Sequence, residues 1–460
     1  MSDPREAPAR RVDVAQLIDE KPVSALQIRV FVLCALVAVL DAVDSQAIGV
    51  AAPLMAADLK ISPGGFAPAF SAGLFGATIG ALGFGLVADW LGRKPTLVLT
   101  TGLFGLFTCL TVFADSFYVL LAYRFIAGLA LGGATPCFIT MAAEYAPKRS
   151  RAMLVSLLWA GYPLGNALGG FMTAYIVTHY RWPMVFYAGG VPTLVLAVLL
   201  FFLMPESLRF LAAKGRMGRD ARRLAEKLDP GLKRASYELT MRTDTATATK
   251  MPFRELFTDG RAAGTVLVWF ILFLGFATTT VITLQTPTLL HAAGIPLGTT
   301  GLFVGIEGLT AAIGMAVAGR LVEKFGPILA LVPAFTCGAV LLVGLGYVAA
   351  SPVFAGIVMT LLGFTAPLGA SGGIALAATY YPTAMRSSGV GWAMGFGRFG
   401  QVCSPLAIGL MLTIGWMPGN ILAVMGIAPL LGGLAVLVRT LLLRSNTAVP
   451  DARITSRASA

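Results

Sequence analysis

Runs of Leu, Ala, Val, Gly, Phe and Ile, interrupted by short polar breaks, repeat along the whole chain. A bilayer core about 30 Å thick asks for ~20 mainly apolar residues per helix. The runs predict twelve spans at 26–56, 66–88, 96–114, 118–143, 152–178, 184–204, 263–290, 299–322, 328–349, 352–381, 387–414 and 420–443. Strict apolar–polar alternation, which a membrane barrel needs, is missing, so each span must satisfy its backbone internally as a helix. The expected fold class is therefore an all-α membrane protein. A polar segment dense in Lys and Arg, including Lys214, Arg216, Arg219, Arg222, Arg223, Lys233 and Arg234, parts six spans from six. The expected organisation is an N-terminal segment 1–25, a helical half 26–204, a linker 205–262, a second half 263–443 and a tail 444–460.

Composition agrees with this pattern. Of 460 residues, 57% are hydrophobic and 12% charged, where a soluble domain carries about 25% charged. The net charge of +12 does not point to nucleic acid, because a duplex binder gathers its cations on one soluble face. Here they sit between apolar runs. The side holding both termini, the linker and the breaks near 90, 148, 322 and 386 carries 30 of the 34 Lys and Arg; the other side carries Lys60 and Arg181. Positive residues resist translocation, so the rich side is expected to be cytoplasmic. The first 25 residues lack the short apolar core and cleavage site of a signal peptide, so the first run is expected to stay as a helix. Cys34, Cys109, Cys137, Cys337 and Cys403 lie in or beside apolar runs, and neither they nor His179 and His291 show metal spacing. No metal, cofactor, enzymatic centre or phosphate-cradling loop is expected, which leaves an ion gradient as the energy source.

The halves repeat. Gly85, Asp89 and Gly92 in GLVADWLG match Gly319, Glu323 and Gly326 in GRLVEKFG at an offset of 234. AAEYAPKRSR, ending at Arg151, matches AATYYPTAMR, ending at Arg386, at 235, and Pro53 matches Pro287 at 234. A duplicated six-helix unit points to a transporter that rocks one half against the other.

GLVADWLGRK, with its echo GRLVEKFG, resembles the signature loop of the major facilitator superfamily; RFIAGLALGG from Arg124 and PESLRFL from Pro205 resemble its fourth-helix motif and sixth-helix end. LDAVDSQAIGVAAPLM (40–55) and YPTAMRSSGVGWAMGFGRFG (381–400) resemble the aromatic acid/proton symporter family. That resemblance implies proton-coupled import of benzoate-, hydroxybenzoate- or protocatechuate-type acids by a protein of the bacterial inner membrane, both termini cytoplasmic. The family's first helix usually reads Asp-Gly-Phe-Asp; Ala42 and Val43 stand between Asp41 and Asp44 here. The partners implied are an aromatic carboxylate, protons and the bilayer, with the chain expected as a monomer. A sugar, a non-aromatic organic acid or an exported drug is the rival cargo.

Charge deep in a span costs about 2.5–3.5 kcal/mol on insertion scales, so it needs a reason. Asp41, Asp44, Arg124, Glu307 and Arg398 carry such charge. Asp41 and Asp44 share a helix face, and two carboxylates so close in a dry place resist ionising together. They are candidates for proton coupling, with a helix-break cap or a bridge to Arg124 as the plainer reading. The counterparts Gly275 and Thr278 carry no charge, so the fold itself does not ask for acids there. Arg124, opposite Met359 in the repeat, requires Asp41 or Asp44 as partner unless it snorkels. Arg398, opposite Pro163, is the candidate grip on a carboxylate because a planar guanidinium matches it bidentately. Trp159, Tyr162 and Trp392 offer ring faces, though aromatics at helical spacing are more often packing. Gln46, Asn166 and Gln285 are further polar candidates. Glu307 reads equally as a second protonatable group, part of the cavity lining, or a neutral, hydrogen-bonded acid. Gly85, Asp89, Gly92 and Arg93, with Glu144 and Arg386, read as a latch: Gly92 permits the turn, Asp89 meets a helix N-terminus, and Arg93 is expected to pair across the seam between halves.

Overall fold

The computed structural model describes residues 10–447 except 21–22, 63, 215–217, 230, 233–236, 241–252, 259 and 383–384. The expected tail 444–460, and Arg216, Lys233 and Arg234 of the linker, therefore lie partly or wholly outside the described residues. In order, the elements are β1 (Arg10–Asp13), α1 (Val14–Glu20), α2 (Ala25–Asp58), α3 (Ala67–Leu91), α4 (Arg93–Leu110), α5 (Phe117–Tyr145), α6 (Arg151–His179) and α7 (Pro183–Leu203). After the short α8 (Leu208–Ala213), α9 (Arg219–Leu228) and β2 (Tyr237–Thr240) come α10 (Ala262–Thr280), α11 (Thr286–Ala292), α12 (Leu297–Val348), α13 (Pro352–Tyr380), α14 (Arg386–Thr413), α15 (Pro418–Met425) and α16 (Ile427–Thr447).

These helices give the twelve spans. A π-helical turn, Val281–Gln285, joins α10 to α11 as one span, and α12 is two helices that meet at Gly326. Ten segments among the described residues are long and apolar enough to cross a membrane. α6 and α14, at 29 and 28 residues, match them in length but are diluted by Gly, Ser and polar residues. These two repeat-related helices hold Trp159, Tyr162, Asn166, Trp392 and Arg398. Their lower hydropathy comes from the same side chains that recommend them as site elements.

The signature loop and its echo show why glycine is required there. Gly92 has φ 116° and Gly326 φ 79°, a region that costs an L side chain dearly. The repeat is thus visible in backbone geometry as well as in sequence.

The chain forms two compact units. The first holds Met1–Ala47, Ala72–Gly169 and Tyr180–Thr247. In it β1 pairs in parallel with β2, Arg10 opposite Tyr237 and Asp13 opposite Thr240. Val14, Leu17 and Ile18 of α1, Ala221, Ala225 and Leu228 of α9, and Tyr237 and Leu239 of β2 are buried in one core with Phe138, Met141 and Met204 of the spans. The basic linker, expected as a solvated or membrane-surface segment, is thus in part a folded module. Its apolar residues are too scattered to signal a core until the N-terminal segment joins them. Lys148 ties α1 to this unit through Asp19, its backbone N–H donating at 2.8 Å.

The second unit holds Ile48–Ser71, Gly170–His179 and Ala248–Ala460. Within it the last turns of α2 and α6 pack on α11 and α12: Thr288 Oγ1 donates to Gly49 O at 3.0 Å, and a Cβ on Gly170 would lie 2.5 Å from Gly305 N. Ser71 Oγ donates to Val402 O at 2.9 Å.

Candidate functional site

The first unit gathers the charged side chains of its spans in a dry interior. Asp41 is 5% exposed, Asp44 3% and Arg124 5%. Gly165 lets α6 lie directly against α2, for a Cβ there would stand 2.5 Å from Val39 O. Gly128 does the same for α5 against α3, where a Cβ would meet Gly73 O. Small residues are how membrane helices approach closely, and this packing turns Arg124 of α5 inward.

Arg124 Nη1 reaches Asp44 Oδ2 at 3.4 Å, and Nη2 donates to Thr111 Oγ1 at 3.1 Å. The guanidinium also lies over the Phe186 ring, 5.2 Å from its centroid. Of the two carboxylates the sequence offered, Asp44 takes the arginine, and the snorkelling alternative does not apply because the side chain is buried. The pair is only half satisfied: Asp44 Oδ1 and Arg124 Nε are buried without hydrogen-bond partners. Asp41, one turn earlier, accepts a long 3.5 Å bond from Ser45 Oγ. It lines a cavity of about 10 Å³ with Leu40, Thr101, Phe104 and Thr193, roughly room for one water molecule.

Other candidates of this unit are less concentrated. Gln46 is buried and engaged; Trp159 and Tyr162 are half-buried. Asn166 is buried with its Oδ1 unpartnered, a polar group facing the interior without a bond.

The latch residues also assemble here. Arg93 Nη1 holds Asp89 at 2.6 Å and its Nε lies 3.9 Å from Glu144, so Arg93 pairs within its own unit rather than across a seam. Ser207 Oγ donates to Glu144. Asp89 is exposed, and among the described residues no helix N-terminus is its partner. That place belongs to Glu206, whose Oε1 accepts from the backbone N–H of Arg93 at 3.0 Å and of Lys94 at 3.1 Å. Glu206 thus caps α4, where the dipole favours an anion. A Cβ on Gly92 would press against Glu206 Oε2. The sequence reading missed Glu206 as a site residue, although it stands in PESLRFL; an acid just beyond an apolar span was the available signal. Gly85 has open space around it.

The second unit holds the remaining candidates. Glu307 is 2% exposed, hydrogen-bonds Thr283 in the π-helical turn, and keeps Oε2 without a partner. Gln285, at the end of that turn, is buried with its Nε2 unpartnered. π-turns inside helices recur at functional sites. Arg398 is half-buried in α14 and engaged. Trp392 joins an aromatic cluster, 4.7 Å from Phe253 and 6.5 Å from Trp269 between centroids, the packing role that aromatics at helical spacing most often have. Arg386 is exposed at the start of α14. Among the described residues no group of three or more His, Cys, Asp or Glu is placed to hold a metal.

A family model described as Major Facilitator Superfamily matches residues 34–366. A gallate transporter of Pseudomonas putida is 33% identical, over 95% of this chain and 96% of its own. A 4-hydroxybenzoate transporter of Pseudomonas aeruginosa is 31% identical, over 96% and 98%. The xylose transporter from E. coli, solved in an inward-open conformation, superposes with TM-score 0.67 at 18% identity, covering 89% of this chain and 95% of that one.

Proposed function

Because the chain belongs to the major facilitator superfamily, we propose that it carries small aromatic carboxylates into the cell together with protons. It acts in the bacterial cytoplasmic membrane with both termini inside, as a monomer, and the two helical halves 26–204 and 263–443 are the moving bodies. The names of its relatives, transporters of gallate and of 4-hydroxybenzoate, support the substrate class.

The observation that carries the coupling is the buried Asp44–Arg124 pair at 3.4 Å. An arginine keeps its charge in proteins, so the carboxylate is the member that takes up the proton. Protonation of Asp44 removes the Coulomb attraction and leaves Arg124 held by Thr111 and the Phe186 face. The fourth span is then free to shift relative to the first, a local charge change read out by a two-state element. Asp41, on its water-sized cavity, is the relay through which the proton reaches or leaves the pair. Arg398 grips the substrate carboxylate, and Gln285 and Glu307 line the second half's share of the path. Asp89, Arg93, Glu144 and Glu206 stabilise one of the two states.

The test is uptake of labelled 4-hydroxybenzoate and gallate into proteoliposomes under an imposed inward proton gradient. Accumulation that collapses with a protonophore is expected. If no aromatic acid accumulates or competes, the substrate class is wrong; if uptake ignores the gradient, the coupling is wrong.

A further inference from the structure

The two units end differently at equivalent places, and the difference leaves one cation uncompensated. In the first unit Tyr145 donates to Glu206 O at 2.7 Å, and Glu144 and Glu206 supply negative charge around it. The repeat offset of 235 carries Tyr145 to Tyr380, Glu144 to Thr379 and Glu206 to Leu441. Thr379 turns its hydroxyl back onto its own helix, to Leu376 O at 2.9 Å. Both acids are thus gone, and a cation, Arg439, stands two residues before Leu441.

Arg439 is 6% exposed, so it does not snorkel to water. Its guanidinium lies 4.8 Å from the centroid of the Tyr380 ring, and Tyr380 is fixed by donating to Arg261 O at 2.9 Å. Among the described residues no carboxylate lies within 4 Å of Arg439, and its Nε is buried without a partner. An arginine cannot shed its charge, and a buried cation without a counter-ion is costly. An anion from outside the chain resolves this.

The surroundings say which anion. Tyr380 closes α13 and Arg261 precedes α10, so the guanidinium sits level with helix ends, at headgroup depth. On α16 Val438 and Leu441 share an exposed, apolar face, about a third of a turn round from Arg439, along which lipid chains lie. We propose that Arg439 and the Tyr380 ring form a site for the phosphodiester of an anionic phospholipid in the leaflet covering this end of the second unit. The guanidinium fork supplies paired donors to two phosphate oxygens, and the acyl chains lie along Val438 and Leu441.

Thermal melting and native mass spectrometry of the full-length protein, with phosphatidylglycerol or phosphatidylcholine added, read this site. Phosphatidylglycerol is expected to stay bound and raise the melting temperature, and phosphatidylcholine not to. Arg439→Gln is expected to weaken phosphatidylglycerol binding by about tenfold, with Arg439→Lys between it and the native chain. Equal affinity for the two lipids in the native chain overturns the proposal without any variant being needed. Unchanged phosphatidylglycerol binding by Arg439→Gln does the same. Displacement of the lipid by millimolar inorganic phosphate would assign the site to a soluble anion instead.

Discussion

At the scale of single residues, the molecule turns on a pair that is bonded but not saturated. One contact at 3.4 Å joins Asp44 to Arg124, while an oxygen of one and a nitrogen of the other remain unpartnered. A fully satisfied bidentate pair would be harder to open. Removing one partner of a buried pair leaves a bare charge and costs about 3–5 kcal/mol. Asp44→Asn is therefore expected to lower the stability of the purified protein by that order and to abolish gradient-driven uptake. The double variant Asp44→Asn/Arg124→Gln is expected to be clearly less destabilised than the sum of the singles. Melting curves of the three variants check this double-mutant cycle, and additive losses would deny the coupling. That Asp44 rather than Asp41 holds the arginine was not legible in the sequence. The two lie on one helix face three residues apart, and only the angle at which α5 crosses α2 distinguishes them.

At the scale of elements, the turn between the second and third spans shows how a short motif becomes a device. Gly92 adopts φ 116°, and this brings the first N–H groups of α4 onto the Glu206 carboxylate. Gly92→Ala meets both the backbone penalty of a left-handed residue, about 1–3 kcal/mol, and the Glu206 oxygen. Glu206→Gln keeps the shape and loses the charge that answers the helix dipole, worth roughly 0.3–1 kcal/mol. Both variants are expected to insert normally, and Gly92→Ala to slow transport more. Membrane-fraction immunoblots beside initial uptake rates check this. The turn itself could be read from the repeat, because Gly92 and Gly326 recur at one offset. Its true anion could not, because Glu206 lies over a hundred residues further on and Asp89 lay nearer in sequence.

At the scale of the whole molecule, charge sorts by side. Lys60 lies in a break on the poor side, whereas Lys227 is exposed on α9. In a cysteine-free background, Lys60→Cys is expected to react with a membrane-impermeant maleimide in intact cells, and Lys227→Cys only after permeabilisation. The reverse pattern would invert the topology and remove the cytoplasmic placement of the linker. The same linker shows where sequence reading stopped. Ala221, Ala225 and Leu228 recur on one face of α9, yet they bury themselves only because a strand more than two hundred residues earlier pairs with β2.

The spans, the duplication and the lopsided distribution of cations were all decided by the order of residues alone. The bilayer makes apolar length a requirement, and translocation penalises Lys and Arg wherever they fall, so both signals are local. Other features came into being only when helices distant in the chain met. They include the choice of Asp44 as ion partner, the capping of α4 by Glu206, the folding of the linker with the N-terminal strand and the unanswered charge of Arg439. Hydrogen bonds and ion pairs depend on separations of a few ångströms between elements, and such separations are set by packing rather than by any one stretch of sequence.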